Sequence, residues 1–236
     1  MPNPYFRFKK FTIYQDRCAM KVGVDGVLLG AWADVDDKMK NILDIGTGTG
    51  LIALMVAQRC DATIDAIDID ENAVLQATEN IASTRWNNRI DVKPISLQHH
   101  AVHTAKKYDL IISNPPFFVN SLVSPSVGRT NARHTGKLTH EELLGYSKKI
   151  LAKEGNIRII LPVAEADNAI DFAQTIGLYC TREIFVFPTP QKPPKRKLLA
   201  FEQSKKEKTT GEITIQTTQR HQYTAEFIRL TEDYYL

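Results

Sequence analysis

Apolar residues fall into short runs separated by amphipathic stretches, and this alternation predicts strands and helices in turn. Short apolar runs predict strands at 42–45, 64–69, 90–95, 108–113 and 156–161. Apolar residues three and four positions apart predict helices at about 51–58, 70–82, 139–151 and 164–176. Strands that alternate with helices usually build a mainly parallel sheet with helices on both faces. The chain is therefore predicted to be an α/β protein with a doubly wound, mainly parallel sheet.

The ends of the predicted helices carry suitable capping residues. Asp70 can cap the helix that follows the second strand, and Thr139 forms a capping box with Glu142 before the third helix. Near the C-terminus, the pattern predicts two antiparallel strands at 180–187 and 197–202, around a proline-rich loop. The sheet is thus expected to end in an antiparallel hairpin.

The composition fits one large domain. The 236 residues are 43% hydrophobic and 24% charged, which allows a substantial core, and we predict a single domain over 1–236 with 1–40 as an N-terminal extension. No apolar run approaches the length of a membrane span, and the first residues lack the apolar stretch of a signal peptide. Cys18, Cys60 and Cys180 lie far apart without metal-ligand spacing. We therefore expect no membrane association, no metal and a reducing, cytoplasmic location.

A glycine-rich turn follows the first predicted strand. Gly46, Gly48 and Gly50 stand in a G-x-G-x-G pattern, which permits backbone angles closed to other residues and lets a ligand approach the main chain. A nicotinamide-binding turn would need its third glycine at position 51, which is Leu51. Asp68 ends the next strand, where a carboxylate can accept hydrogen bonds from the ribose hydroxyls of an adenosine-containing cofactor. The pattern predicts a cofactor site at the carboxyl ends of these strands.

The four residues after the strand at 108–113 are Asn114, Pro115, Pro116 and Phe117. This sequence suits neither a strand nor a helix. The Asn114 side-chain oxygen and the Pro115 carbonyl can both accept hydrogen bonds from one amino group, and the Phe117 ring can stack on the plane that carries it. The alternative is that the prolines only end the strand and that Phe117 belongs to the core. Its place behind the glycine-rich turn favours a site for methyl transfer to a planar amine.

Together, the glycine-rich turn, the later acid and the Asn-Pro-Pro-Phe sequence resemble the class I S-adenosylmethionine-dependent methyltransferases over 41–161. This resemblance implies a Rossmann-like, seven-stranded sheet, with S-adenosyl-L-methionine as a cofactor that Asn114 also contacts. It suggests Asp44 as a group that orients the methionine amine, although an acid before a glycine turn often only bonds backbone amides. Ser96 and Leu97, after the third strand, are the candidates for contact with the adenine, since no acid stands there.

The two ends of the chain resemble one family of these enzymes more closely. The residues similar to bacterial tRNA(Val) (adenine-37-N6)-methyltransferases are 6–11, 18–32 and 226–235, so this resemblance spans nearly the whole chain. It implies methyl transfer to N6 of the adenine beside the anticodon of a valine tRNA. Lys21 and Asp25 would belong to a segment that covers the methionine end of the cofactor. Val24 stands where the family form has threonine.

Basic residues suggest where the anticodon stem-loop would bind. The net charge of +3 is only mildly basic, and each group of lysines and arginines taken alone could be a solvated loop. The family resemblance implies phosphate contacts from Lys9, Arg129, Arg133, His134, Lys192, Lys195, Arg196 and Lys197. Residues 117–137 show little periodicity and directly follow the amine site, which favours a lid that faces the substrate. His134 on that lid could equally be a packing residue.

The amine site alone does not choose the substrate. Similar sites serve adenine N6 in DNA or RNA, cytosine N4, guanine N2 and the glutamine amide of release factors. The leading alternative enzyme is a protein glutamine methyltransferase acting on release factors. The alternative of another class is an adenosine-ligand-binding protein without turnover. We expect a monomer.

Overall fold

Strands and helices alternate through most of the protein. The computed structural model describes residues 3–18, 20–116, 138–219 and 222–236. The strands of this part are β1 (Tyr5–Arg7), β2 (Thr12–Tyr14), β3 (Asn41–Ile45), β4 (Thr63–Asp68), β5 (Ile90–Pro94), β6 (Tyr108–Ser113), β7 (Leu151–Pro162), β8 (Tyr179–Phe187), β9 (Arg196–Glu202) and β10 (Thr209–Thr214). The helices are α1 (Val24–Trp32), α2 (Leu51–Ala57), α3 (Glu71–Ala82), α4 (Leu97–His103), α5 (His140–Ile150), α6 (Val163–Thr175) and α7 (Ala225–Thr231).

The central sheet contains eight strands in the order β10-β8-β9-β7-β6-β3-β4-β5, and β1 pairs with β2 in a separate hairpin. All neighbours in the large sheet are parallel except β9, which runs antiparallel to both β7 and β8. The carboxyl ends of β3, β4, β5, β6 and β7 therefore lie along one edge of the sheet. In parallel α/β sheets, loops at this edge carry the ligand sites.

Two apolar layers hold the helices on opposite faces of the sheet. One layer contains buried residues of α1, α2, α3 and α7, and the other contains buried residues of α4, α5 and α6. Residues of β3 alternate between the layers, since Ile42 lies in the first and Leu43 in the second. This arrangement confirms the doubly wound α/β fold predicted from the sequence.

The predicted elements are all present, and the elements that the sequence did not predict are the β1–β2 hairpin, α1, α4, β10 and α7. The Asp70 cap is confirmed by its hydrogen bond from the Asn72 amide at 2.9 Å, and Thr139 and Glu142 form the capping box. The sheet has one strand more than the seven expected, because β10 pairs in parallel with β8. Ile213 is the only buried residue of β10, so its sequence gives a weak strand pattern.

The N-terminal extension folds as the β1–β2 hairpin followed by α1. Seven of the nine α1 residues are buried, and the helix packs closely on α2. No helix in the described ranges is long and apolar enough to cross a membrane. The extension is thus part of the helical layer that contains α2 and α3.

Candidate active site

Two loops meet where the order of the strands reverses. β3 and β6 are neighbours in the sheet, but the chain runs outward from β3 through β4 and β5 before it returns to β6. Ile45 and Ser113 are register partners at the ends of these strands, and the Ser113 hydroxyl donates a hydrogen bond to the Ile45 carbonyl at 2.9 Å. The glycine-rich turn and Asn114 therefore begin side by side in the crevice where this sheet type binds ligands.

The glycine-rich turn presents its main chain to this crevice. Gly46, Gly48 and Gly50 have φ angles of +68°, +55° and +81°, a region that other residues rarely adopt. A Cβ on Gly46 would meet no atom of the described residues within 4 Å, whereas one on Gly50 would meet Ile81 at 3.3 Å. The turn is therefore packed on α3 at its end and open to a ligand at its start.

Asp68 closes the other side of the turn. Its Oδ2 accepts a hydrogen bond from the Gly48 amide at 2.9 Å, and its Oδ1 accepts one from the Asp70 amide at 3.0 Å. The side chain is only partly buried, so each oxygen keeps acceptor capacity at the surface. A ligand hydroxyl at the mouth of the crevice could bind there.

Asp44 is a fully buried carboxylate directly beneath the turn. Its Oδ2 accepts a hydrogen bond from the Thr47 hydroxyl at 2.7 Å, but its Oδ1 has no hydrogen-bond partner among the described residues. Removal from water raises the pKa of Asp44 to about 7, against the opposing effect of the Thr47 hydroxyl. Unpaired buried acceptors are rare in native proteins, so this oxygen is suited to a cationic or donor group of a ligand.

Asn114, on the loop after β6, resembles Asp44 in having a buried side-chain oxygen that is open to a ligand. Its Oδ1 is buried and has no hydrogen-bond partner among the described residues. Pro115 is buried beside it, and a Cβ on Gly26 of α1 would lie 3.9 Å from the Asn114 Nδ2. The start of α1 therefore covers this side of the crevice, and an oriented acceptor stands within it.

Comparison with known proteins places the chain in a family. Residues 27–169 match the model of the methyltransferase small domain. A protein of Parabacteroides distasonis described as tRNA1(Val) (adenine(37)-N6)-methyltransferase is 50% identical over 236 residues, which cover all of this chain and 99% of that protein. The chain belongs to the tRNA1(Val) (adenine(37)-N6)-methyltransferase family. A relative in Phocaeicola vulgatus with the same description is 48% identical over 100% of this chain and 99% of its own length.

A solved structure independently supports the fold. The crystal structure of a predicted O-methyltransferase from Agrobacterium tumefaciens superposes with a TM-score of 0.70, covering 89% of this chain and 96% of that one at 17% identity. At that identity the likeness concerns the fold alone. The prediction of a Rossmann-like methyltransferase fold is confirmed.

The cofactor of this methyltransferase is S-adenosyl-L-methionine, and the crevice offers groups that fit it. This cofactor carries two ribose hydroxyls and an ammonium group, all hydrogen-bond donors. The partly exposed Asp68 carboxylate and the Asp44 Oδ1, which has no partner within the described ranges, are acceptors next to the glycine-rich turn. Among the described residues, no group of three or more His, Cys, Asp or Glu side chains could hold a metal ion.

The remaining predicted cofactor residues lie around the crevice in different settings. Ser96 caps α4, and its hydroxyl accepts a hydrogen bond from the His99 amide at 3.2 Å. Leu97 is buried at the start of the same helix, directly after β5, whose end Pro94 is the register partner of Asp68. Lys21 is exposed on the segment before α1.

Asp25 has a partner that the sequence does not suggest. Its Oδ2 accepts a hydrogen bond from Arg196 Nε at 2.9 Å. Arg196 begins β9 opposite Pro162, at the carboxyl edge of the sheet. A predicted cofactor residue and a predicted RNA residue thus form one ion pair, which joins α1 to the loop before β9.

Two further predicted RNA contacts are engaged within the protein. Lys197 is buried, and its Nζ donates hydrogen bonds to Glu183 at 2.7 Å and Asp167 at 2.5 Å. The predicted phosphate contact of Lys197 is therefore replaced by a core ion-pair network, because a buried ammonium held by two carboxylates does not face solvent. Lys9 donates to the Glu232 carbonyl at 2.5 Å.

Of the other predicted RNA contacts, two lie within the described residues and the rest do not. Lys192 and Lys195 are exposed on the loop between β8 and β9. Phe117, Arg129, Arg133 and His134 lie outside the described residues, as does the predicted lid at 117–137.

Sequence reasoning missed two polar residues that shape the crevice. Thr47 bonds Asp44 from within the glycine-rich turn, and Asn80 on α3 bonds the Thr49 carbonyl of that turn at 2.9 Å. A signal for Asn80 exists in the sequence. Gln76 and Asn80 lie on the face of α3 that is otherwise lined by small apolar residues such as Ala73 and Ala77.

Proposed function

We propose that this protein transfers a methyl group from S-adenosyl-L-methionine to N6 of adenine 37 in tRNA1(Val). The observation that carries this proposal is the Oδ1 of Asn114 beside the glycine-rich turn, which is buried and has no hydrogen-bond partner in the described part of the chain. An amino group is the ligand that such an acceptor requires. The choice of adenine 37 is supported by relatives of that description at 42–50% identity, which match 98–100% of this chain.

The chain would activate the amine by orientation. The adenine amino group is a poor nucleophile because its lone pair is delocalised into the ring. Hydrogen bonds from this group to the Asn114 Oδ1 and the Pro115 carbonyl would draw the amino hydrogens out of the ring plane, so that the lone pair is localised on the nitrogen and directed towards the methyl group. The cofactor supplies a methyl group on a positively charged sulfur. The same two acceptors would stabilise the positive charge that develops on the nitrogen, so no strong general base is needed.

The cofactor would lie across the glycine-rich turn. Asp68 would accept the ribose hydroxyls, Asp44 would orient the methionine ammonium, and Ser96 and Leu97 would border the adenine. Residues 1–40 would act within one domain as a cover for this site, with Lys21 near the methionine end. The covering role is supported by the closeness of α1 to Asn114, since a Cβ added to Gly26 would lie 3.9 Å from the Asn114 Nδ2.

Asp44 predicts a pH dependence of cofactor binding. Its pKa of about 7 means that the folded protein keeps a proton that an unfolded chain releases near pH 4. The stability of the cofactor-free protein should therefore fall as the pH rises from about 4 to about 7. Cofactor affinity should rise several-fold as the pH rises through about 7, because the ionised carboxylate binds the ammonium.

Isothermal titration at several pH values, with wild type and Asp44→Asn, checks this prediction. The ammonium group of the cofactor also titrates, and it affects the pH profiles of both proteins alike. The difference between the two affinity profiles therefore gives the contribution of Asp44. The affinity of Asp44→Asn should lack the rise near neutral pH. Parallel pH profiles for both proteins would contradict the proposed role of Asp44.

The tRNA would approach along the carboxyl edge of the sheet. Lys192 and Lys195 lie there, since the Lys195 amide bonds the Val186 carbonyl near the end of β8 and Arg196 follows at the start of β9. Phosphates attract such exposed lysines, and this attraction weakens with salt. Arg129, Arg133 and His134 remain proposed contacts of the segment after the amine site.

The double variant Lys192→Ala/Lys195→Ala should bind tRNA on the order of tenfold more weakly at low salt, with cofactor affinity unchanged. The slope of log Kd against log salt should fall by about 2, roughly one for each lost phosphate contact. Filter binding over a salt series measures both quantities. The matched control is Lys153→Ala/Lys205→Ala, which removes two exposed lysines at the opposite edge of the sheet. Equal losses in both double variants would contradict a specific tRNA surface at the carboxyl edge.

The proposed reaction is tested with labelled cofactor. Purified protein is incubated with S-adenosylmethionine labelled in the methyl group and either total tRNA or a release factor. Label in tRNA, mapped to adenine 37 of tRNA1(Val), is the expected result. Label only in the release factor would support a protein glutamine methyltransferase instead, and cofactor binding without transfer would support a binding protein. The cytoplasmic location and the monomeric state stay predictions.

A further inference from the structure

Asn80 connects three segments of the protein through one buried side chain. Its Oδ1 accepts a hydrogen bond from the Tyr14 amide at 2.9 Å, and its Nδ2 donates to the Tyr14 carbonyl at 2.9 Å. The same Nδ2 donates to the Thr49 carbonyl at 2.9 Å. The residue is fully buried on α3. Helix α3, strand β2 and the glycine-rich turn therefore meet at a single amide.

The bonds of Asn80 leave no freedom in its orientation. Both amide hydrogens point to backbone carbonyls and the oxygen faces a backbone amide, so the group cannot be flipped without losing these bonds. Unmade hydrogen bonds of buried groups are costly. A shift of the turn at Thr49 would therefore strain the hydrogen bonds at Tyr14, and a shift at Tyr14 would strain the bond to Thr49.

Thr49 and Tyr14, the two residues that Asn80 joins, are each connected to groups of the active site. Thr49 lies between Gly48, whose amide bonds Asp68, and Gly50, which begins α2. On the other side, β2 continues to Gln15, whose Oε1 accepts a hydrogen bond from the Val22 amide at 2.8 Å just before α1. The start of α1 lies beside Asn114, since a Cβ on Gly26 would be 3.9 Å from its Nδ2. Asn80 thus joins the cofactor side of the crevice to the cover of the acceptor side.

We propose that Asn80 is a positioning residue that couples cofactor binding at the glycine-rich turn to ordering of the N-terminal cover. The inference rests on the proposed function, since it takes the turn to be the cofactor site. Coupling of this kind is reciprocal: a bound cofactor holds residues 12–18 in place, and an ordered cover strengthens cofactor binding.

Gln76 provides a matched control on the same helix. It lies one turn before Asn80, is equally buried, and its Oε1 accepts a hydrogen bond from the Arg17 amide at 3.1 Å. It thus bonds the N-terminal extension, and among the described residues no hydrogen bond joins it to the glycine-rich turn. Asn80→Asp and Gln76→Glu both replace a side-chain amide with a carboxylate. Only Asn80→Asp removes a hydrogen bond that is donated to the Thr49 carbonyl of the turn.

The experiment measures amide hydrogen exchange and cofactor affinity on the full-length protein. In wild type, S-adenosylmethionine should slow exchange at Tyr14 and its neighbours by at least tenfold. In Asn80→Asp the cofactor should bind about tenfold more weakly, KM for the cofactor should rise with kcat at saturation nearly unchanged, and the slowing should disappear. Gln76→Glu should keep both the affinity and the slowing. A loss of folded protein alone would lower kcat without changing KM.

The wild-type measurement decides the question even if Asn80→Asp does not fold. Cofactor binding and tRNA methylation with unchanged exchange at Tyr14 would overturn the coupling and leave the proposed function intact. Failure of wild type to bind the cofactor would overturn both. Equal effects of Asn80→Asp and Gln76→Glu on KM would assign the coupling to the extension as a whole rather than to Asn80.

Discussion

Replacing Asn114 with alanine is expected to lower kcat by about 10²–10³-fold while cofactor affinity stays nearly unchanged. The side chain would contribute one oriented acceptor in a site shielded from water, and loss of one such group costs about 2.7–4 kcal/mol of transition-state stabilisation. Its Oδ1 has no hydrogen-bond partner among the described residues, so removing this atom breaks no hydrogen bond to them. Single-turnover methyl transfer at saturating cofactor, with calorimetric cofactor binding, measures the two quantities.

The conservative variant Asn114→Asp separates chemistry from packing. It keeps an acceptor oxygen in the same position, so it should retain more transfer activity than Asn114→Ala. If Asn114→Ala instead lost cofactor binding and transfer together, the residue would be structural. That outcome would leave the amine without its proposed acceptor and would remove the main support for the proposed mechanism.

The sequence predicts the central part of the fold because its elements are locally encoded. The strands β3, β4 and β6 are short apolar runs, and α3 and α5 carry capping residues of their own. The sites predicted at Gly46, Asp68 and Asn114 follow from strand ends, and parallel strands bring these ends to one edge. Pairing order then places the turn and the amine site side by side.

The N-terminal extension is not predictable in the same way. β1 and β2 have three residues each, and β2 is tied by Asn80, which is 66 residues away from Tyr14. α1 is buried on nearly every side, so it lacks the polar face that identifies an amphipathic helix. Such segments acquire their structure from partners that are distant in the chain.

The contacts made by clustered basic residues are likewise not predictable from the local sequence. Lys192, Lys195 and Lys197 are close in sequence, but the structure sends Lys197 into the core towards Glu183 and leaves the other two exposed. Lys197 lies within β9 beside Glu183 of the neighbouring strand β8, whereas Lys192 and Lys195 lie on the loop before β9. A basic stretch therefore identifies an RNA surface only after its ion pairs are known.

Replacing Gly46 with alanine should weaken cofactor binding on the order of 10²-fold. The new methyl group would stand in the open space beside the turn, where the cofactor must approach the main chain. At about 1.4 kcal/mol per tenfold change, this corresponds to about 3 kcal/mol of lost binding. The φ angle of +68° adds backbone strain of about 1–2 kcal/mol, which lowers stability as well.

Gly177→Ala separates the strain from the blocked site. Gly177 follows α6 with a φ of +70°, nearly the value at Gly46, and among the described residues a Cβ there would meet only the Lys148 Nζ, at 3.3 Å. Both variants should lose similar stability in thermal unfolding, because both force alanine into the left-handed region. Only Gly46→Ala should lose cofactor affinity by calorimetry. Comparable losses of affinity in both would show that strain weakens binding through overall stability, and that the open backbone at Gly46 is not where the cofactor lies.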